Sequence, residues 1–472
     1  MYSDLNTVLK KYGQEHLLAF IDDLSSEERN VLVSQIQEID FDEIEELIEK
    51  YVLRKPDLKV PENISPAPYF PEVPESEEQI KLYANAERIG KELLGDGKIA
   101  ALTVAGGQGS RLGFDGPKGS FPLTPIKNKT LFQYFAESLI RAGEKFGSPV
   151  RWYIMTSAVN DKETRDFFEA NKFFGLKRDQ VFFFIQGTMP AIGVDGKLLL
   201  SGKGSLALAP NGHGGTLLAL YRSGALEDMR QNGIEHISYF QVDNPLVSVV
   251  NPLFIGLHVL EKSEISARAL IKTGPLEKLG NFCVVDDRLE IIEYSDMPDE
   301  LARETDADGN LKFRAGSPAI HILSREFVER LTAGGRLQLP WHRADKKVPY
   351  IDKAGDLITP AEINGVKLET FIFDAIPMAE RTMILEAARE KEFAPVKNKS
   401  GVDSAETSRA MLIARDAGWL ECAGVTIPKR GDGVPDCVIE LSPATFFDIE
   451  DTKRVFAGRE THISHGEKVY YE

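Results

Sequence analysis

From about residue 98 onwards, short apolar runs alternate with segments of helical periodicity. The apolar runs are rich in β-branched and aromatic residues, which is typical of buried strands. They lie at 99–104, 152–156, 181–185 and 236–242. Two of the intervening stretches have helical spacing, one at 130–146, where Thr-Leu-Phe-Gln predicts a capping box, and one at 164–171. This alternation predicts an α/β fold with a doubly wound, mainly parallel sheet.

The pattern changes towards both ends of the chain. Residues 3–51 predict short helices, one of them opened by a capping box at Ser25, and a further helix is predicted at 76–94. Six prolines between Pro56 and Pro74 predict an extended linker, because proline cannot continue a helix. The periodicity weakens after about residue 395, where we expect a small β-rich module.

Three segments and three later elements complete this interpretation. The segments are a helical N-terminal module with its Pro-rich linker at 1–95, a main domain at 96–395 and a small C-terminal module at 396–472. The later elements are a hairpin at 283–292 that turns at Asp286 and Asp287, and strands at 319–323 and 370–373.

The composition is that of an ordinary globular protein, and the charge narrows the choice of partners. The chain has 472 residues, of which 42% are hydrophobic and 27% charged, enough for a large core in more than one domain. A net charge of −17 argues against a nucleic acid partner, because nucleic acid backbones attract basic surfaces. A small anion can still bind where a few cations and oriented amide groups converge.

The spacing of the cysteines and the lack of a long apolar segment predict the cellular compartment of the protein. Cys283, Cys422 and Cys437 lie far apart and include no Cys-x-x-Cys pair, so they predict neither a disulfide framework nor a zinc site. The first residues lack the basic and apolar regions of a signal peptide, and no later stretch could span a bilayer. We therefore predict a cytoplasmic protein without membrane contact, and its oligomeric state is left open.

One loop combines glycine with positive charge. Residues 105–118 follow the first predicted strand and read Ala-Gly-Gly-Gln-Gly-Ser-Arg-Leu-Gly-Phe-Asp-Gly-Pro-Lys. Gly106 and Gly107 let the backbone turn and approach a ligand closely, and an open loop presents N–H groups to phosphate oxygens. Arg111 and Lys118 add fixed positive charge. The loop therefore predicts a polyphosphate site over the end of a strand.

Two better-known glycine-rich patterns do not match this loop. A Walker loop requires Gly-Lys-Ser/Thr, but Pro117 separates Gly116 from Lys118. A dinucleotide fingerprint requires Gly-x-Gly-x-x-Gly, whereas the loop reads Gly-Gly-x-Gly-x-x-x-Gly, which disfavours a dehydrogenase. A plain glycine turn with two solvated cations is the simpler alternative, and it is disfavoured because strand, glycines and charges coincide in one short segment.

Other predicted strands also end in polar side chains. Asp243 follows the fourth strand, where a carboxylate either holds Mg²⁺ against phosphates or caps a turn. Gln186 follows the third strand, where its amide either serves a structural role or donates to and accepts from a base. A second glycine-rich loop at 209–215, Ala-Pro-Asn-Gly-His-Gly-Gly, reads as an ordinary turn by composition alone. Because ligands of open α/β sheets bind at the carboxyl ends of strands, these positions support a nucleotide site.

The loop at 105–118 resembles the signature Gly-Gly-x-Gly-Thr/Ser-Arg-Leu-Gly…Pro-Lys of the eukaryotic-type UDP-N-acetylhexosamine and UDP-glucose pyrophosphorylases. Further stretches similar to this family lie at 184–190, 209–215, 239–256, 339–352, 366–374 and 390–398. The resemblance covers roughly residues 5–450. It implies a Rossmann-type catalytic domain at 96–395, similar to the nucleotide-diphospho-sugar transferases, that acts on UTP and a sugar-1-phosphate with the help of Mg²⁺.

The resemblance also implies roles for individual residues. Catalytic roles fall to Arg111, Lys118 and Lys397, nucleotide binding to Ala105, Gly106, Gly107, Gln186 and Gly212, sugar binding to His213, Glu293 and Ser317, and metal binding to Asp243. By spacing alone, Lys397 reads as a solvated lysine. An oxygen of the sugar phosphate would attack the α-phosphorus of UTP, so that no protein nucleophile is needed.

The sugar is the open part of this interpretation. The resemblance favours N-acetylglucosamine-1-phosphate, and glucose-1-phosphate or a broad range of sugar phosphates are the alternatives. The segment 313–321 departs from the family form Phe-Asn-Ala-Gly-Asn-Ile-Ala-Asn-His, because Arg314, Ser317 and Ile320 replace three asparagines. His213 also stands where the family usually has asparagine. Fewer amide partners predict looser or redirected sugar selectivity.

A protein that binds sugar nucleotides but has lost catalysis is an alternative of a different class. Such a protein could keep the glycine-rich loops while losing the charged residues of the site. Lys118, Asp243 and Lys397 are all present, which favours the enzyme.

Overall fold

A computed structural model describes residues 2–54, 61 and 63–472, with the side chains of residues 2 and 3 left out. The helices are α1 (Tyr2–Lys11), α2 (Ser26–Gln37), α3 (Phe41–Leu47), α4 (Glu77–Gly95), α5 (Leu131–Phe146), α6 (Asp161–Ala170), α7 (Gly215–Arg222), α8 (Ala225–Gln231), α9 (Pro252–Leu260), α10 (Asp299–Ala302), α11 (Arg325–Leu331), α12 (Arg389–Glu392), α13 (Ala405–Cys422) and α14 (Ile449–Phe456). In this described part of the chain, no helix has the length and apolar character needed to cross a membrane.

The strands follow the same order along the chain. They are β1 (Ile64–Pro66), β2 (Ile99–Val104), β3 (Arg151–Thr156), β4 (Val181–Ile185), β5 (Thr188–Pro190), β6 (Ile192–Gly193), β7 (Leu200–Gly202), β8 (Ser205–Leu206), β9 (Leu208–Pro210), β10 (His236–Gln241), β11 (Ile265–Ile271), β12 (Gly280–Val285), β13 (Arg288–Ile292), β14 (Ala315–Ser317), β15 (His321–Ser324), β16 (His342–Lys346), β17 (Tyr350–Ile351), β18 (Leu357–Ile358), β19 (Gly365–Glu369), β20 (Thr382–Ala387), β21 (Val438–Leu441) and β22 (Lys468–Tyr471).

The chain divides into two compact units. The first unit comprises Met1–Lys59, Gln186–Gly215 and Gln338–Ala375, and the second comprises Val60–Ile185, Thr216–Leu337 and Ile376–Glu472. This division cuts the chain at other positions than the predicted segments 1–95, 96–395 and 396–472. The three-segment organisation therefore stays a prediction.

A large mixed sheet forms the second unit, in the order β1-β12-β14-β11-β15-β10-β2-β3-β4. The run β10-β2-β3-β4 is parallel, and β20 is parallel to β11, whereas the other pairs of this sheet are antiparallel. The predicted α/β fold is confirmed, and its parallel part is the run of strands that carries the glycine-rich loop. The part of the predicted linker at 56–74 that is described joins this sheet through β1, and the rest lies outside the described residues.

The parallel strands are held by a core of large aromatic side chains. Phe132 and Phe135 of α5 pack with Trp152 and Phe240, and all four are fully buried. The indole N–H of Trp152 donates to the Thr103 hydroxyl at 2.7 Å, so the polar atom of this ring is satisfied inside the core. This core therefore holds β2, which is buried along 99–103, up to the point where the loop begins.

The first unit joins the N-terminal helices to a small sheet of order β16-β19-β6. Its apolar core includes Leu32 and Ile36 of α2, together with Leu198 and Leu368. A buried glutamine links the two parts, because the Gln14 amide donates to Gly196 O and accepts from Leu198 N, each at 3.0 Å. The short helices predicted at 3–51 are present, and the Ser25 capping box is formed.

Most predicted elements of the second unit are also present. β2 and β4 have the predicted bounds, and the strands and helices predicted at 152–156, 236–242, 76–94, 130–146 and 164–171 correspond to β3, β10, α4, α5 and α6. The hairpin turns where expected, since Asp286 and Asp287 have φ of 46° and 63°. The predicted strand at 319–323 is β15, which begins after Ala319, a residue with φ of 58°.

Two predictions are wrong. The strand expected at 370–373 ends earlier, as β19, and the chain continues into a 3₁₀ helix, Ile372–Met378, because a short apolar run is buried equally well in either form. The C-terminal segment is mainly helical rather than β-rich, since α13 and α14 outweigh the short β21 and β22. Buried polar residues of α13, Asp416 among them, interrupt the apolar periodicity that would have indicated the helix.

Candidate active site

The glycine-rich loop leaves β2 and closes back on itself. Lys118 N donates to Gly107 O at 3.0 Å, and Gly109 N donates to Gly116 O at 2.9 Å, so the two ends of the loop pair like a short hairpin. Gly113 and Gly116 have φ of 72° and 133°, a region that glycine enters without strain. The loop is therefore a defined structure whose shape depends on these two glycines.

Two residues between β3 and α6, Ser157 and Asn160, bind carbonyl groups at the start of the loop. The Asn160 amide donates to Ala105 O at 2.9 Å and to Gly107 O at 3.3 Å, and the Ser157 hydroxyl lies 2.8 Å from Gly106 O. Both side chains were missed in the sequence. The signal that could have found them is the position of Ser157 directly after a strand of the parallel run.

Lys118 and Asp243 meet at the carboxyl edge of the sheet. β2 and β10 are parallel neighbours with Val104 opposite Gln241, so the residues that follow them lie at the same edge. Lys118 Nζ is 3.0 Å from Asp243 Oδ2, and the two side chains are 12% and 16% exposed. The structure thus brings together the predicted catalytic lysine and the predicted metal ligand, and places one positive and one negative charge in contact.

Hydrogen bonds with Asn244 and Asp243 hold the segment that leads to Lys397. The Asn244 amide donates to Glu392 O at 2.7 Å and accepts from Ala394 N at 2.9 Å. Val396 N then donates to Asp243 O at 2.8 Å. Lys397 directly follows Val396, so its backbone lies close to Asp243. Its Nζ is 3.9 Å from the Asp403 carboxylate. Asn244 belongs to the sequence motif around Asp243, but these two hydrogen bonds were not predicted.

Arg111 lies elsewhere on the loop. It is exposed on the 3₁₀ turn Ser110–Leu112, which Gly113 ends, and the Lys399 side chain lies next to Gly113. Arg111 is thus placed within the loop, at its solvent-facing turn, and its catalytic role stays a prediction.

The predicted sugar-binding residues Glu293 and Ser317 lie on the two sides of Gly280. Ser317 of β14 is paired with Gly280 of β12, and a Cβ atom on Gly280 would lie 3.2 Å from Glu293 Oε1. Behind them, the buried Lys272 ammonium donates to Asn281 Oδ1 at 2.6 Å, and burial lowers the pKa of Lys272. The structure therefore supports one common wall for these two residues.

The two other positions that depart from the family form point away from this wall or into the core. Arg314 Nε donates to the Tyr69 hydroxyl at 2.9 Å, and Ile320 is buried. Ser317 is consequently the replacement that lies, like Glu293, next to Gly280.

Gln186, Gly212 and His213 come together in the first unit. The buried Gln186 amide donates to Gly212 O at 2.6 Å. His213 stacks on Phe371 with 5.2 Å between ring centroids, and its Nδ1 accepts from Ile372 N at 3.2 Å. Burial, together with the nearby His342, lowers the pKa of His213 to about 4, so its ring is neutral near pH 7. Their roles in base and sugar binding stay predictions.

Asp243 fits a particular kind of metal site. Among the described residues, no group of three or more His, Cys, Asp or Glu side chains could hold a metal ion. Mg²⁺, however, is usually bound by one or two carboxylates together with substrate phosphates and water. A single carboxylate at the edge of a phosphate loop suits that donor set, with the nucleotide supplying the other ligands.

Comparison with known proteins identifies a family and several similar proteins. Residues 42–469 match the family described as UTP--glucose-1-phosphate uridylyltransferase. A human protein named UDP-N-acetylhexosamine pyrophosphorylase-like protein 1 is 34% identical over 486 residues, which cover 97% of this chain and 95% of that protein. The UDP-N-acetylglucosamine pyrophosphorylase of Saccharomyces cerevisiae is 37% identical over 365 residues, 75% of each chain. The crystal structure of the uridine diphosphate N-acetylglucosamine pyrophosphorylase from Trypanosoma brucei superposes with a TM-score of 0.78 at 27% identity, and covers 97% of each chain.

Proposed function

The chain belongs to the UTP--glucose-1-phosphate uridylyltransferase family, and from this premise we propose that it forms UDP-N-acetylglucosamine and pyrophosphate from UTP and N-acetylglucosamine-1-phosphate. It is a nucleotidyltransferase. The choice of sugar is supported by relatives at 33–38% identity, among them proteins named UDP-N-acetylglucosamine diphosphorylase 1, probable UDP-N-acetylglucosamine pyrophosphorylase and UDP-N-acetylglucosamine pyrophosphorylase. The observation that carries the mechanism is the contact between Asp243 and Lys118, the last residue of the glycine-rich loop, together with the hydrogen bond from Val396 N, next to Lys397 in the chain, to Asp243 O.

In the proposed reaction, an oxygen of the sugar phosphate forms a bond to the α-phosphorus of UTP. The bond from that phosphorus to the oxygen that bridges to the β-phosphorus breaks, and pyrophosphate leaves with this oxygen. The nucleophile is already an anion, so no side chain has to remove a proton or form a covalent intermediate. Catalysis then consists of alignment and of neutralising charge, as in other phosphoryl transfers.

The charged residues divide this work. Lys118 has a flexible stem and would exchange Asp243 for phosphate oxygens when UTP binds, so that Lys118 and Arg111 neutralise charge on the β- and γ-phosphates. Lys397 would bind the sugar phosphate. Asp243 would then be available to hold Mg²⁺, which would supply further positive charge to the phosphates when bound.

The binding residues complete the proposal. Backbone groups of Ala105, Gly106 and Gly107 would contact the nucleotide, Gln186 and Gly212 the base, and His213, Glu293 and Ser317 the sugar. The neutral ring of His213 suits hydrogen bonding rather than charge neutralisation. A cytoplasmic location is supported by the free thiols of Cys283, Cys422 and Cys437, which suit a reducing compartment.

Glucose-1-phosphate is the second candidate substrate, and the observation that favours it is the serine at position 317. A serine hydroxyl is shorter than an asparagine side chain and offers no amide to an N-acetyl group beside Glu293. We expect glucose-1-phosphate to be used within about a hundredfold of N-acetylglucosamine-1-phosphate in kcat/KM.

The test is pyrophosphate release from UTP with a panel of sugar-1-phosphates, and with ATP in place of UTP as the control. Release with UTP and N-acetylglucosamine-1-phosphate, but not with ATP, supports the proposal. Release with glucose-1-phosphate alone would move the chain to the UDP-glucose branch. No release with any sugar phosphate would contradict the enzymatic proposal.

A further inference from the structure

Three consecutive peptide groups at the start of the loop have their carbonyl oxygens bound from one side. The Asn160 amide nitrogen donates to Ala105 O at 2.9 Å and to Gly107 O at 3.3 Å. The Ser157 hydroxyl, 2.8 Å from Gly106 O, binds the carbonyl between them. Two side chains therefore bind three successive carbonyl groups, and the third of these, Gly107 O, also accepts from Lys118 N at 3.0 Å.

This arrangement also decides where the corresponding N–H groups point. In a trans peptide the N–H points opposite to the C=O of the same plane. The N–H groups of Gly106, Gly107 and Gln108 consequently face away from Ser157 and Asn160. Within residues 2–54, 61 and 63–472, none of these three groups donates a hydrogen bond to a protein acceptor. Successive N–H groups turned to one side form a concavity that attracts anions.

Asn160 occupies the N-cap position of α6, where its side chain would be expected to cap the helix. It directly precedes α6, where asparagine usually accepts a hydrogen bond from the first turn of its own helix. Here the side chain makes no such bond to α6, and its Oδ1 accepts instead from Ser157 N at 2.8 Å. Asn160 is fully buried, and both hydrogen atoms of its amide are directed to the loop. Its side chain therefore supports the loop rather than the helix.

From these contacts we propose that Asn160 and Ser157 are positioning residues for UTP. They do not touch the nucleotide; they hold the loop so that the N–H groups of Gly106, Gly107 and Gln108 face its phosphates before it binds. This inference rests on the proposed function, because it assigns UTP to the loop. It adds two residues, 55 positions or so from the loop in the chain, to those that determine nucleotide affinity.

The experiment measures UTP binding by calorimetry without sugar phosphate, and KM for each substrate separately. Asn160→Ala removes two of the anchoring hydrogen bonds and is expected to weaken UTP binding by roughly tenfold or more, while KM for the sugar phosphate stays within about twofold. Ser157→Ala removes one anchor and is expected to weaken UTP binding by roughly threefold to tenfold. Asn160→Asp keeps the size and the acceptor but replaces the two N–H donors with a carboxylate, so it should bind UTP no better than Asn160→Ala.

Two matched controls report on loss of structure alone. Asn171→Ala removes an amide that donates to Phe167 O at the other end of α6, and Ser138→Ala removes a buried hydroxyl that donates to Tyr134 O within α5. Both should bind UTP like the wild type. Thermal denaturation identifies which variants fold, and if Asn160→Ala does not, Ser157→Ala, which removes a single oxygen, decides the question.

The outcomes separate this inference from the proposed function. A wild-type protein that does not bind UTP overturns both. A wild-type protein that binds UTP, together with folded Ser157 and Asn160 variants of unchanged UTP affinity, overturns the inference alone. Equal increases in KM for both substrates would also overturn it, because they would indicate a general structural effect.

Discussion

Replacing Lys118 by methionine should change three measurable properties at once. Lys118→Met keeps the length of the side chain but removes the ammonium group that contacts Asp243 in the free protein. Turnover should fall, because this charge is proposed to neutralise phosphate oxygens in the transition state. Stability of the free protein should fall as well. Binding of Mn²⁺ to the nucleotide-free protein should become tighter, because the carboxylate no longer has a cation beside it.

The distances set the expected magnitudes. Two unit charges 3.0 Å apart attract each other by about 5–6 kcal/mol at an effective dielectric constant of about 20. Desolvation of both groups and their remaining exposure offset much of this, so a net contribution of about 1–3 kcal/mol to stability is expected. A gain of the same size, about 1–3 kcal/mol, in the free energy of Mn²⁺ binding to Asp243 corresponds to roughly fivefold to 160-fold tighter binding. Loss of one preorganised charge in the transition state corresponds to a decrease in kcat of roughly 10²–10³.

Lys162→Met is the matched control for this variant. Lys162 forms an ion pair with Asp166 at 2.5 Å, but the two side chains are 89% and 63% exposed, so water screens the attraction and the pair contributes little to stability. Pyrophosphate release gives kcat, calorimetry gives Mn²⁺ affinity and denaturation gives stability, each for wild type and both variants. The reasoning is refuted if Lys118→Met turns over within about fivefold of the wild type, or if its stability and Mn²⁺ affinity change no more than those of Lys162→Met.

Three further changes test other parts of the account. Asp243→Asn removes the proposed metal-binding charge and should lower turnover by several orders of magnitude in a folded protein, and turnover near that of the wild type at ordinary Mg²⁺ would contradict the metal role. Ser317→Asn restores an amide beside Glu293 and should raise the kcat/KM ratio of N-acetylglucosamine-1-phosphate to glucose-1-phosphate; an unchanged ratio would mean that this position does not contact the sugar. Burial lowers the pKa of His236 to about 4, below the value of 6.5 in the unfolded chain. Between pH 6.5 and pH 4 only the unfolded chain binds a proton at this histidine, so the free energy of unfolding should fall as the pH falls through this range. Thermal midpoints at pH 7 and pH 5 should therefore differ less in His236→Gln than in the wild type.

The strands and the phosphate loop could be predicted because their signals are local. β2 is buried on both faces, and its uninterrupted apolar run has the same bounds in the sequence and in the structure. Glycines and cations follow it within the same short segment. The placement of the loop and Asp243 at one edge followed from the general rule that parallel strands end together, but the contact between Lys118 and Asp243 was not predicted, because the sequence did not show that β2 and β10 are direct neighbours.

The supports of the site could not be predicted, because they depend on contacts between distant parts of the chain. Asn244 and Glu392 are 148 residues apart, and Asn160 lies 55 residues from Ala105. No spacing rule links such side chains to the carbonyl groups that they bind. The direction of the Asn160 amide is also contrary to the usual preference of asparagine at a helix start, which would have suggested a cap.

The wrong predictions have a related cause. Helix α13 buries Asp416 against Arg415 and the backbone of β21, so a polar residue stands where an apolar one would mark the buried face. Ser404 does cap this helix, but the residue three positions later is Thr407 instead of the Glu or Gln of the usual capping-box pattern, so the sequence pattern did not mark the helix start. Pairing of buried charges is a tertiary contact, and it changed the pattern on which the prediction of a β-rich tail depended.

The most direct test of the central claim follows the oxygen atoms of the sugar phosphate. The enzyme is incubated with UTP and N-acetylglucosamine-1-phosphate that carries ¹⁸O in its non-bridging phosphate oxygens, and both products are examined by mass spectrometry. Because a sugar phosphate oxygen is proposed to attack the α-phosphorus of UTP, all of the label should be found in the UDP-sugar and none in pyrophosphate. Label in the released pyrophosphate, or no UDP-sugar at all, would contradict the account.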